Sequence, residues 1–99
     1  MEVKIQSIKF DASEKLEAYI QKKATKLNKK DDSISLIEVI LKVVKPESIE
    51  NKQADIKVFA PQAELFATKT SNTFEQSVDE ALEAIERQLE KKKKKKSVK

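Results

Sequence analysis

The side chains able to do chemistry in this chain are almost all amines and carboxylates. Its 99 residues include 21 Lys and Arg and 17 Asp and Glu, with no His, no Cys and no Gly. Without histidine, the usual general base and metal ligand are missing. Without cysteine there are no disulfides, zinc knuckles or thiolate nucleophiles. Without glycine, Gly-rich phosphate loops and dinucleotide fingerprints are excluded. Asp79, Glu83 and Glu86 recur at helical spacing, and Asp31 and Asp32 are adjacent. Hydrolysis needs two carboxylates facing each other across a cleft with separated pKa values, whereas acids along one helix face read as a solvated surface. The hydroxyls have no histidine to activate them. The expectation is a non-enzyme, with no catalytic residue, metal, cofactor or small-molecule substrate.

The amines are more informative. Residues 14–30 hold Lys15, Lys22, Lys23, Lys26, Lys29 and Lys30 against Glu14 and Glu17. On a helical wheel Lys15, Lys22, Lys26 and Lys29 fall together, about 90° or more from the Leu16/Ile20/Ala24/Leu27 face, with Lys23 and Lys30 on its flank. Such a row can track successive phosphates, or it can simply keep a helix soluble. Residues 73–90 are the reverse: six acids against Arg87, the single arginine. Arg87 lies away from that segment's apolar stripe, placed for a bidentate phosphate contact or for pairing with Glu83 or Glu90.

Residues 91–99 add seven lysines and no acid, so the formal net charge of +4 belongs to this tail. The first ninety residues hold fourteen basic and seventeen acidic groups. Lys91 to Lys96 suit RNA, DNA, an acidic protein, an anionic membrane surface or a nuclear localisation signal, and equally a solvated terminus. With no aromatic in the tail, base-specific reading is not expected.

The elements that must position these groups follow from periodicity. Val3 and Ile5 alternate with polar neighbours, which predicts a strand over 2–9. Asp11 or Ser13 can cap a helix carrying the Leu16/Ile20/Ala24/Leu27 stripe, with Tyr19 beside it, ended by Asn28 and Asp31-Asp32-Ser33. Ile37, Val39, Leu41 and Val43 predict a strand within 34–45, stopped by Pro46 and a polar turn over 46–51. Ala54, Ile56 and Val58 predict a third strand, Pro61-Gln62 a reversal, and residues 63–70 a fourth. Phe59 and Phe66 fall on its open face or, after a register shift, in the core. Ser71, Asn72 or Thr73 can cap a second helix with the stripe Phe74, Val78, Ala81, Leu82, Ile85 and Leu89, continuing into the lysines.

The order β-α-β-β-β-α predicts an α+β, two-layer sandwich: a four-stranded mixed sheet with two helices on one face. Strands one and two are expected to be parallel across a right-handed crossover, the rest antiparallel. Residues 1–90 form the expected domain and 91–99 the lysine-rich tail. No stretch is apolar enough to span a bilayer. Met1 is followed by an acid rather than a basic start and an apolar run, which predicts a cytoplasmic protein.

The run from Val78 to Lys91, above all Ile85-Glu86-Arg87-Gln88-Leu89 before lysine, resembles the closing helix of the bacterial ribosome hibernation promoting factors. These are the ribosome-associated inhibitor A relatives, once labelled sigma-54 modulation proteins. Lys26-Leu27-Asn28-Lys29, the strand from Ile37 to Lys45 and Ala54-Asp55-Ile56 extend the resemblance over about residues 1–95. It implies the β-α-β-β-β-α fold, a layout also shared with the double-stranded RNA-binding domain, which is an analogy of fold. It further implies binding in the channel between head and body of the small ribosomal subunit, over the places of messenger RNA and the A- and P-site transfer RNAs. Translation would be silenced and idle ribosomes stored under stress or in stationary phase.

Carried over by position, Lys23, Lys26, Arg87, Lys91 and Lys95 contact ribosomal RNA phosphates. With the rest of the stripe and tail, the expected rRNA-binding set is Lys22, Lys23, Lys26, Lys29, Lys30, Arg87, Lys91, Lys94 and Lys95. The resemblance implies the short form of the family, monomeric off the ribosome, without a membrane partner. Two departures are visible: Ala84 replaces a common lysine, and Thr73-Phe74-Glu75 replaces the family's Asp-Met-Tyr. The alternative reading is a protein-interaction module using the open sheet face, with the tail as a solubility or nonspecific nucleic-acid-binding element.

Overall fold

The structure, a computed structural model, describes residues 2–45, 47, 49–61 and 63–97, and for 92–97 the backbone only. Pro46, Gln62 and the end of the tail, Val98 and Lys99, lie outside the described residues. The chain runs β1 (Glu2–Ser7), α1 (Glu14–Lys30), β2 (Leu36–Val43), β3 (Lys52–Ala60), β4 (Ala63–Ser71) and α2 (Phe74–Ser97). The sheet order is β1-β2-β3-β4. β1 lies parallel to β2, and the other two pairings are antiparallel.

Alternation in sequence sets the register. Ile37, Val39 and Leu41 oppose Val58, Ile56 and Ala54, and Leu65 and Ala67 continue the rows on β4. All eight are buried and share one core with Leu16, Ile20, Ala24 and Leu27 of α1 and Val78, Ala81, Leu82, Ile85 and Leu89 of α2. Both helices therefore cover the same sheet face. Each fully buried isoleucine contributes about 1.5–3 kcal/mol of transfer free energy. A stacked ring pair, Phe10 on Phe74 with centroids 5.0 Å apart, joins the loop after β1 to the start of α2.

β1 ends at Ser7 rather than extending to residue 9. Lys9 adopts φ 64°, a left-handed conformation that a strand does not accommodate. Of the two candidate caps for α1, Ser13 acts: its hydroxyl accepts the Leu16 N–H at 3.1 Å. Of the residues expected to end α1, Asp31 does so and Asn28 does not: the helix runs to Lys30, where the Asp31 N–H reaches the Leu27 carbonyl. The Asp31 carboxylate then accepts the N–H and hydroxyl of Ser33, turning the chain toward β2. Thr73 caps α2 through the Gln76 N–H. Ser71 instead closes β4, and its hydroxyl meets that of buried Ser77 at 2.7 Å.

The opposite sheet face is open. Phe59 and Phe66 both lie on it, as the unshifted register requires, and Phe66 is 53% exposed. The Lys57 ammonium stands 5.6 Å from the Phe59 ring centre. Burial raises the Asp55 carboxyl, but hydrogen bonds from Thr68, Gln53 and Lys42 and the Lys42 charge outweigh it, leaving its pKa below the usual value. Gln88 of α2 donates to the Phe66 carbonyl at 3.0 Å, connecting α2 to β4.

Candidate nucleic-acid interface

The two helices pack side by side through pairs that advance together along both. Lys23 lies 3.7 Å from Asp79, and Lys30 lies 3.2 Å from Glu86. A step of seven residues on each helix matches, so α1 and α2 run in the same direction. This brings the basic end of α1 beside the turn of α2 that carries Arg87.

Tyr19 completes the first pair. Its hydroxyl donates to Asp79 Oδ2 at 2.7 Å, and the Lys23 ammonium sits 5.4 Å from its ring centre. The hydrogen bond to Asp79, burial, and the charges of Asp79 and Glu75 push the phenol up to about 12. Asp79 Oδ1 is shut off from solvent and accepts no hydrogen bond among the described residues, with the Lys23 ammonium beside it.

The structure thus divides the nine expected site residues. Lys22, Lys26 and Lys29 are exposed on α1 and make no ion pair among the described residues. Arg87 and Lys91 are likewise exposed on α2, and Arg87 pairs with neither Glu83 nor Glu90. From the wheel positions of the two buried stripes, Lys22, Lys26, Lys29 and Arg87 all lie on the side of the helix layer away from the sheet. Lys23 and Lys30 are turned toward α2 and its acids. Lys94 and Lys95 fall in the helical backbone of α2, with side chains outside the described residues.

A surface of this kind can neutralise several phosphates at once, because its cations stand on two rigid helices at fixed spacing. The residues missed from sequence are Tyr19, Asp79 and Glu86 as ties between the helices. The signal available was Tyr19 at the edge of the apolar stripe and the opposite charge of the two helices. Among the described residues no helix is long and apolar enough to cross a membrane, and no group of three or more His, Cys, Asp or Glu is placed to hold a metal.

The profile of the family described as sigma 54 modulation protein / S30EA ribosomal protein matches residues 3–97. A structure described as a ribosomal subunit interface protein from Coxiella burnetii superposes with a TM-score of 0.83 at 27% identity, covering 94% of this chain and 98% of that one. The Thermus thermophilus Protein Y N-terminal domain superposes with a TM-score of 0.78 at 18% identity, over 92% and 98%, a likeness of fold. Comparison with curated protein sequences gives no match.

Proposed function

From the premise that this chain belongs to the sigma 54 modulation protein / S30EA ribosomal protein family, we propose that it is a ribosome-binding inhibitor of translation. It binds ribosomal RNA of the small subunit in the decoding channel, excludes messenger RNA and A- and P-site transfer RNA, and stores ribosomes inactive under stress or in stationary phase. The protein acts in the cytoplasm, where ribosomes are, by occupancy rather than by catalysis.

The observation that carries this reading is the surface of Lys22, Lys26 and Lys29 on α1 beside Arg87 and Lys91 on α2. All five are exposed on a body whose first ninety residues are otherwise net acidic. Charge concentrated in this way attracts a polyanion to one surface of a protein that is not basic as a whole. Lys23 and Lys30 flank that surface, and the backbone of α2 continues past Lys91 through Lys94 and Lys95.

Sucrose-gradient sedimentation with purified small subunits and whole ribosomes, at low and moderate salt, tests the reading. Stoichiometric co-migration with the small subunit and blocked translation in an extract are expected. Failure to co-migrate at low salt would overturn it. Exposed Phe66 beside Phe59 on the open sheet face favours a second reading, a protein-interaction module, in which binding would be lost on changing these rings and indifferent to the lysines.

A further inference from the structure

We propose that Asp79 and Glu86 set the RNA selectivity of the helix layer by holding Lys23 and Lys30 back from phosphate. The inference rests on the RNA-binding reading above and concerns what makes that surface discriminating. Of the five lysines from position 22 to 30, two face a carboxylate of α2, at 3.7 Å and 3.2 Å. The other three are exposed and face none within ion-pair distance among the described residues. Any polyanion therefore meets Lys22, Lys26 and Lys29 first. It must compete with a fixed carboxylate for Lys23 and Lys30.

The competition is steepest at Asp79. Its Oδ2 is occupied by the Tyr19 hydroxyl, which also fixes the carboxylate plane. Its Oδ1 is closed to water and has no hydrogen-bond donor among the described residues, so the Lys23 ammonium is the charge beside it. Drawing Lys23 away leaves an ionised oxygen neither hydrated nor bonded, which is costly in a partly buried site. The Tyr19 ring under the ammonium adds a second attraction to be broken. Lys30 is more open to solvent than Lys23, with 53% of its side chain exposed against 34%, and is restrained less. An RNA surface recruits Lys23 only when its phosphates reach the seam between the helices, so random RNA gains fewer contacts than a surface shaped to this layer.

The test uses the full chain and a labelled random-sequence RNA duplex, with affinity followed by anisotropy across a salt series. The variants are D79N/E86Q and the charge-matched control E83Q/E90Q, which alters two exposed acids without an ion pair among the described residues. The D79N change keeps a carbonyl for the Tyr19 hydroxyl, and thermal melts confirm that each variant is folded. D79N/E86Q is expected to bind the duplex about tenfold tighter, with a salt slope steeper by about one to two, roughly one per released lysine. Adding K23Q and K30Q should abolish the gain. Binding to small subunits should tighten less than binding to the duplex. Equal shifts in D79N/E86Q and E83Q/E90Q would reduce the effect to net charge and overturn the proposal, as would an unchanged slope. The duplex titrations read this restraint directly, whereas failure of the unmodified chain to sediment with small subunits overturns the ribosome reading instead.

Discussion

The Tyr19 hydroxyl and the Asp79 carboxylate meet at 2.7 Å although sixty residues separate them in the chain. Their bond ties α1 to α2 at the level where the basic face begins. The ring of the same tyrosine lies beside the Lys23 ammonium, so one side chain positions both an acid and a base. The contact adds a polar tie between the two helices to the apolar core that seats them on the sheet.

Tyr19 is the single tyrosine of a chain without tryptophan, so its ionisation can be followed by ultraviolet absorbance without interference. The midpoint is expected near 12 in the folded protein, against an ordinary value of 10.0, and D79N should return it toward the ordinary value. The sign of the linkage is fixed by the raised value. The tie contributes fully below pH 10 and is lost as pH rises toward 12. An unshifted midpoint in the unmodified protein would contradict the geometry.

Substituting Lys22, Lys26, Lys29 and Arg87 together by glutamine should abolish co-sedimentation with ribosomes at moderate salt. Each cation is expected to remove about one unit from the salt slope. Since all four side chains are exposed and unpaired among the described residues, each change should alter stability by no more than about 0.5 kcal/mol. Circular dichroism melts check the fold, and sedimentation equal to that of the unmodified protein would sink the assignment.

The ring of Phe66 offers the opposite control. Phe66→Ser should leave ribosome binding within about twofold, because the open face points away from the helices. Loss of binding on this change, with the lysines intact, would favour the protein-interaction reading instead.

Ile85 is fully buried in the stripe that seats α2 on the sheet. Ile85→Ala is expected to cost about 2–5 kcal/mol, read as a lower midpoint in urea with a similar slope. A loss below about 1 kcal/mol would mean that α2 is not packed as described.

Ser13→Ala removes the acceptor that holds the Leu16 N–H at the start of α1. The expected loss is about 1 kcal/mol, within a range of about 0.5–2 kcal/mol. Ser13→Asp should retain most of the stability, whereas equal losses for both changes would remove the cap as the explanation.

Much of the architecture was legible because one face of the sheet is buried. Alternation through Ile37, Val39 and Leu41 excludes any one-residue slip, which would turn all three outward, and the same alternation along β3 and β4 places Phe59 and Phe66 outside. Local competition was less legible. Asp11 and Ser13 are both good caps by type, and the choice depended on backbone angles at the loop. Asn28 is a plausible terminator by type, yet the Asp31 N–H reaching Leu27 carries the helix two residues further. The lysine row was visible on a wheel. The wheel also set Lys23 and Lys30 on its flank, but not their partners, which lie fifty-six positions away in each case, on a helix whose facing is fixed by the core.

The charge reversal along α2 has a kinetic consequence. At 1.5 Å rise per residue, its 24 residues make a rod of about 36 Å with acids along its first turns and lysines along its last. A rod charged in this way experiences a torque in the field of a polyanion and turns before it touches. Productive collisions are then drawn from a narrow cone of orientations, lysine end leading. That raises the association rate at low ionic strength and makes it fall as the Debye length shrinks. Moving the lysines to the other end of the chain, at unchanged net charge, would slow capture of a polyanion while leaving the exposed lysines of α1 in place.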